Sequence, residues 1–441
     1  MITTNRVMTI TRLAMPICIA LSSTFVMALI DLIMVGSLGN NAVAAVGLSS
    51  YGNTLLLAFV MGISPAVLGI VARRRGENSN EIKCLPLNAG LLLAIAIGVP
   101  LSIVGIFLTP YFFSLVSTDP AVVRIGIPFL SVLYLGITAV GLNNAYRGYW
   151  TGMERPMVFM AIALLMNCLN ILLNYIFIFG NFGAPVLGAQ GAAVGTVISL
   201  YAGVLINTVI AYKHSSSDGF ITAKPDMSLL SRIQKMSVPA AMQEFFFSAG
   251  YITFFWMVGQ VGTRELAAAS VLVRVTMVMV LIAMALGMAS ATLVSRTLGE
   301  GNPDGATEWG WDIAKLGVTI VTTMGIPLLF FPELFLSMFL IDKETIEMAV
   351  TPLRLVALTT GIGSLIYIFA ATLYSVGDGK RVIAVSFATQ WFFFLPAVWI
   401  VGPYMKLGLV GIWWVQMAYG CLATVLITKL WMDGRWKVVK L

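Results

Sequence analysis

Twelve stretches of predominantly apolar residues follow one another along this chain, each bounded by glycine, proline, asparagine or a short charged cluster. A helix needs about 20 apolar residues to cross the hydrocarbon of a bilayer. In lipid, backbone polar groups are satisfied only inside helices or closed barrels. Runs of this length therefore read as spanning helices, at 10–35, 44–72, 86–113, 122–145, 157–179, 187–212, 233–259, 266–296, 311–339, 346–374, 382–402 and 408–432. Twelve crossings use roughly 240 residues, and what remains of the 441 suffices only for short connections. That excludes a large soluble domain. With 59% of its residues hydrophobic and 10% charged, the chain is also too apolar for one water-soluble core, where roughly 45–50% and 25% are usual. The expected fold class is an all-α integral membrane protein.

A formal net charge of +7 invites a nucleic-acid reading. The basic residues are scattered between apolar runs rather than clustered with aromatics, so no nucleic acid is expected as a partner. Cys18, Cys84, Cys168 and Cys421 form no CxxC pair, and neither a disulfide framework nor a metal site is suggested. The first apolar run is too long for a cleavable signal and reads as the first spanning helix. Lys and Arg concentrate in cytoplasmic connections. With both termini inside, 20 of the 26 Lys and Arg fall on the cytoplasmic side, the exceptions being Arg124, Arg264, Arg274, Lys343, Arg354 and Lys406. The expectation is a multi-pass protein of a bacterial inner (plasma) membrane with both termini cytoplasmic.

The chain repeats itself at a shift of 223 residues. Pro16 matches Pro239. Met34-Val35-Gly36, Gly39 and Ala44-Ala45 match Met257-Val258-Gly259, Gly262 and Ala267-Ala268, and Gly76-Glu77 matches Gly299-Glu300. Tyr149 and Gly152 match Tyr374 and Gly377 at a shift of 225. Each half holds an even number of helices, so both run the same way through the membrane, an architecture that transporters use. The expected organisation is an N-lobe over 1–214, a cytoplasmic linker over 215–231 and a C-lobe over 232–441, with two pseudo-symmetric six-helix lobes.

No GxxxxGK[ST] phosphate loop occurs, since Gly379-Lys380 is followed by Arg381, and ATP-driven pumping is not indicated. His214 is the single histidine and reads as a solvated loop residue. The sharpest signal is Asp31, inside the first span. A carboxylate at membrane depth is costly and usually faces a cavity where it acts; desolvation favours its neutral form. An acid that gains and loses charge there can carry a proton or bind a cation. Its repeat counterpart is Phe254, so the acid belongs to one lobe only.

Met27 and Met34 share the helical face of Asp31. In the eighth helix Arg274, Met277, Leu281, Met284 and Met288 follow a 3,4,3,4 spacing. Methionine faces repack around varied ligands, and they also serve as ordinary core. Met27, Met34, Tyr51, Phe254, Arg274, Met277 and Met284 are the candidate cavity residues. Asn167, Asn170 and Asn174 lie on one stripe of the fifth helix, where amides either bind a nearby carboxyl in both its forms or glue helices together. With Tyr146 they are expected beside the coupling acid. Glu244 is a second candidate acid, and Pro16 a hinge of the first helix, because proline removes an internal hydrogen bond.

These residues resemble the multidrug and toxic compound extrusion (MATE) transporters over nearly the whole chain. The resemblance rests on Pro16 before Asp31-Leu-Ile-Met-Val-Gly36-Ser-Leu-Gly39, and on Arg73-Arg-Arg-Gly76-Glu77 after the second helix. It rests also on Arg147-Gly148, Gly152 and Pro156, on Asn170, Asn174 and Ile178-Phe179-Gly180, and on Gly188 with Gly191-Ala-Ala193. The chain looks closest to the DinF-like branch, regarded as mostly proton-coupled. Where the NorM-like branch places further acids it has Phe247 and Ser364, and the acid of the archaeal pattern in the sixth helix is missing.

The resemblance implies a multidrug antiporter, not an enzyme. It would export amphipathic, often cationic, drugs and dyes by alternating access, take protons or else Na⁺ at Asp31, need no cofactor and work as a monomer. Protonation of Asp31 would let the first helix repack around Pro16. The competing readings are a Na⁺-coupled drug antiporter and a lipid-linked oligosaccharide flippase of the same superfamily. Flippases of anionic carriers are expected to line their cavity with several cations, and here Arg274 is the main candidate. A channel or receptor fits the internal repeat less well.

Overall fold

The computed structural model describes residues 3–77, 84–216 and 218–439, and among these it is all helix, with no strand. Twelve long helices follow in order: α1 (Thr4–Gly36), α2 (Asn40–Gly76), α3 (Leu85–Val116), α4 (Pro120–Gly152), α5 (Pro156–Phe179), α6 (Ala189–Ser215), α7 (Met227–Val261), α8 (Thr263–Gly299), α9 (Pro303–Phe330), α10 (Lys343–Ser375), α11 (Gly379–Tyr404) and α12 (Gly408–Met432). Eleven are long and apolar enough to cross a membrane. The other, α7, has the length but is diluted by polar residues such as Gln243 and Glu244.

The helices outrun their apolar stretches because capping residues, not the edge of hydrophobicity, set their ends. Asn302 accepts from Gly305 N at 2.8 Å and Pro303 opens the first turn, so α9 starts eight residues before the expected 311. It also ends earlier than expected, at Phe330, before a short helix over Pro332–Leu336. Asp119 caps α4 through Ala121 N at 2.8 Å, and Asp342 caps α10 through Thr345 N at 3.3 Å and Thr345 Oγ1 at 2.6 Å. Such caps satisfy amides that the helix itself leaves orphaned. Pro16 lies inside α1 and Pro239 inside α7. In α11 the turns widen to π-helix over Ala388–Phe394 and again over Ile400–Tyr404.

The chain packs as two compact units. One is Met15–Phe245. Within it α5 runs along α6, and α4 packs on both α2 and α3. The polar segment after α6 is clamped rather than loose. Asn88 Nδ2 donates to Gly219 O at 3.0 Å and Ala223 O at 2.8 Å, and Phe220 is fully buried. His214 is exposed at the end of α6.

The other unit is Met1–Ala14 with Phe246–Leu441. Here α10 is the hub, packed on α8, α9 and α12. The start of α1 belongs to this unit for a visible reason. Arg6 pairs with Asp312 and, at 2.7 Å, with Glu308, and its guanidinium lies 4.7 Å above the Trp309 ring. By packing, the chain therefore divides inside α1 and α7, whereas the repeat divides it by sequence at the polar segment.

Candidate functional site

Asp31 sits half-buried near the end of α1. Asn174 of α5, itself fully buried, donates from Nδ2 to Asp31 Oδ1 at 2.6 Å and to Asn170 Oδ1 at 3.0 Å. Asn170 donates in turn to Thr196 Oγ1 of α6 at 3.1 Å. Its amide is equally well accommodated turned over. Nδ2 then lies 3.2 Å from Asp31 Oδ1, and Oδ1 accepts from Thr196 N and Oγ1 at 3.2 and 3.1 Å. Two turns back, Asn167 Nδ2 donates to Ser23 Oγ of α1 at 2.8 Å. The stripe spaced 3 and 4 on α5 thus lies along α1. Ser23 to Asp31 and Asn167 to Asn174 advance together, so the two helices run side by side in the same direction, with about 10–12 Å between the two contacts.

Among the described residues Asp31 has no cationic partner. Asn174 Oδ1 is buried without a hydrogen bond. Facing it on α6 is Gly195, where a Cβ would fall 2.4 Å from that oxygen; only glycine leaves the amide its place. An amide carries donors on one side and an acceptor on the other. As oriented, Asn174 stabilises the carboxylate. Turned over, it would accept the O–H of the neutral acid.

The remaining candidates are distributed. Met27 is buried, and Met34 packs against a core of Val35, Phe129, Ile178 and Ala192. Tyr51 is exposed. Tyr146, expected beside Asp31, is not in the cluster. It is buried with its hydroxyl on Thr208 Oγ1 at 2.8 Å and its ring near Phe220. Thr208 lies 13 residues along α6 from Gly195, about 20 Å of helix, so Tyr146 belongs to the opposite end. Glu244 is exposed. Its charge acts on Arg147, whose Nε donates to Ser64 Oγ at 3.1 Å, without the two closing to an ion pair. Phe254, Arg274, Met277 and Met284 belong to the unit containing 246–441. Phe254 is buried in an aromatic core. Arg274 is exposed with no ion pair among the described residues, Met277 is half-buried and Met284 exposed. Ser23, Thr196 and Gly195 were not singled out as members of the site from sequence. Small polar residues and glycines are too frequent in this composition to signal a site until a partner faces them.

The chain as a whole is similar to known proteins. The MatE family model matches residues 16–176 and again 239–400, starting at the two repeat-related prolines. The chain is 26% identical over 421 residues to the probable multidrug resistance protein NorM of Thermotoga maritima, covering 92% of this chain and 88% of that one. It is 26% identical over 398 residues to the multidrug resistance protein NorM of Vibrio parahaemolyticus, covering 89% and 86%. Among solved structures, an outward-facing multidrug resistance MATE family transporter superposes with a TM-score of 0.89 at 20% identity, covering 98% and 96%. A MOP superfamily transporter from Pyrococcus furiosus gives 0.87 at 20% identity with the same coverage. With its fold class matched over nearly its whole length and both repeats recognised, the chain belongs to the MatE family and is a multi-pass membrane transporter rather than an enzyme.

Proposed function

We propose that this transporter exports amphipathic, often cationic, organic compounds in exchange for protons bound at Asp31. One observation carries the coupling assignment: a half-buried carboxyl on a spanning helix, with no counter-cation among the described residues, held by an amide that can serve either of its protonation states. A charge so placed is costly unless neutralised. A proton or a cationic substrate supplies that neutralisation, and each displaces the other. With the site open to the outside, a proton binds and the substrate leaves; with it open to the cytoplasm, the proton leaves and a new substrate binds. Loss of the charge on Asp31 frees α1 to repack about Pro16.

The relatives named as multidrug resistance proteins support the substrate class. The single matched acid supports protons over Na⁺ and a place in the DinF-like branch. The Lys and Arg distribution supports an inner (plasma) membrane protein with both termini cytoplasmic. The protein works as a monomer without a cofactor. The N-lobe of 1–214 carries the coupling acid, the linker of 215–231 joins it to the C-lobe of 232–441, and Tyr51 and the methionine faces serve the substrate.

The test is dye transport into everted vesicles under an acid-inside pH gradient, repeated with an inward-facing Na⁺ store and no pH gradient. Wild-type protein accumulates dye only with the pH gradient, and Asp31→Asn abolishes accumulation. Transport driven by Na⁺ alone, or retained in Asp31→Asn, overturns the proton assignment.

A further inference from the structure

The two ends of α1 are held by different neighbours. Its first residues, up to Ala14, pack with the unit containing 246–441, and the rest packs with Met15–Phe245. Pro16 lies at this changeover. Proline has no N–H to donate, so the bond back to Arg12 O is missing and the helix bends most easily there. Arg6 lies ten residues before Pro16 and Asp31 fifteen beyond it, about 15 and 22 Å along the axis.

What fastens the first segment is a receptor built for one side chain. Of residues 3–9 only Arg6 and Val7 are not exposed. The Arg6 guanidinium pairs with Asp312 and, at 2.7 Å, with Glu308, and lies 4.7 Å above the Trp309 ring. Glu308 and Asp312 stand one turn apart on α9. Like charges at that spacing repel unless a cation joins them, and the planar fork of arginine serves two carboxylates and a ring at once. An exposed ion pair holds little. The pair with Asp312 is largely covered, its side chains 29% and 13% accessible, and taking the arginine away would strand a mostly buried carboxylate.

The repeat separates this clasp from ordinary packing. The shift of 223 puts Leu229 opposite Arg6, Leu85 opposite Glu308, Pro86 opposite Trp309 and Ala89 opposite Asp312. A packing need common to both halves would be served in both. Asp31 likewise has only Phe254 as its counterpart. The coupling acid and the clasp therefore occur together, toward opposite ends of one helix, with a proline between them.

We infer that Arg6 is a positioning residue for coupling: it keeps the start of α1 on α9 through the whole transport cycle, so that the repacking set off at Asp31 is taken up as a bend at Pro16. A helix free at one end would shift as a rigid rod and let the change of charge pass without moving substrate. This inference rests on the proton-coupled export reading and adds the part that turns a change of charge into a change of shape.

The test uses the full-length protein in a background lacking the four native cysteines, with ethidium as the probe. Arg6→Ala is expected to bind ethidium, and to release it on mild acidification, within about threefold of wild type, because Asp31 is untouched. Proton-driven ethidium transport into vesicles is expected to slow about tenfold or more. Arg6→Cys with Glu308→Cys should be equally slow, and a short reducible cross-linker between the two thiols should restore transport until it is reduced. Spin labels at Met8→Cys and Thr319→Cys, both exposed, leave the clasp itself intact. The distance between them should be the same before and after acidification. Should Arg6→Ala fail to fold, the cross-link and the labels decide. Fast transport by Arg6→Ala, binding lost in step with transport, arrest rather than rescue by the cross-link, or a label distance that changes with pH overturns the anchor and leaves export untouched. Wild-type protein that moves no ethidium under a pH gradient overturns the export reading instead, and the label distance still decides whether the start of α1 is held.

Discussion

Asn174 holds Asp31 from the neighbouring helix, its Nδ2 2.6 Å from Oδ1, while its own Oδ1 is buried without a partner. The pair couples a charge state to a packing arrangement. As oriented, Nδ2 serves the carboxylate and Oδ1 has no partner; turned over, Oδ1 could accept only from the neutral acid.

The first prediction separates this pair from the rest of the asparagine stripe. Asn174→Leu removes the partner of a charged group, a loss worth about 1.5–3 kcal/mol. Proton-driven dye efflux is expected to fall at least about tenfold. Asn167→Leu, which frees only Ser23, is expected to leave efflux within about threefold. Initial rates at matched expression check this; equal losses from both would reduce the stripe to helix glue.

Gly195 supplies the second. Gly195→Ala puts a methyl into the place of Asn174 Oδ1, and overpacking of this kind costs about 1–3 kcal/mol. Lowered thermal stability and reduced efflux should appear together. Gly183→Ala, whose added methyl meets nothing within 4 Å but whose φ of 83° strains it, should leave efflux near wild type. Efflux unaffected by Gly195→Ala would show that the amide has room to move aside.

Orientation is checked with cysteines in a background lacking the four native ones. Ile341 is fully exposed between α9 and α10, and Asp304 is exposed at the start of α9. A membrane-impermeant maleimide added to intact cells should label Ile341→Cys and spare Asp304→Cys until the membrane is opened. The reverse pattern would invert the assigned topology.

The cap of α10 gives a prediction in pH. The Thr345 hydroxyl holds the Asp342 carboxyl below the usual carboxylate range, and the Thr345 amide and Arg264 act in the same direction. An acid whose folded value is depressed adds stability above its unfolded value and loses it as the pH falls through the lowered one. Wild-type protein should therefore melt above Asp342→Ala by a constant margin near neutral pH, and the margin should shrink as the pH is taken below about 4. A margin independent of pH would show that packing, not the ionised cap, supports this helix end.

The residues themselves made much of this legible. A run of about 20 apolar residues can satisfy its own backbone in lipid only as a helix, so the number and order of the helices follow from hydrophobicity, while caps set their ends. An acid inside such a run stands out because its cost is high. The asparagine stripe was readable from its 3 and 4 spacing, which places Asn167, Asn170 and Asn174 on one face whatever lies opposite.

What lies opposite was not readable. That Asn174 and not Tyr146 meets Asp31, and that Gly195 makes room for it, depend on which helices pack together and at what level. Local periodicity names a face, but only the assembled helices choose its neighbour. The energies that decide the choice are sums of many weak contacts between residues far apart in the chain. The same holds for the division inside α1, where Arg6 leaves its own half of the sequence for Asp312 and Glu308. A long-range ion pair writes no signature into the local sequence at either end.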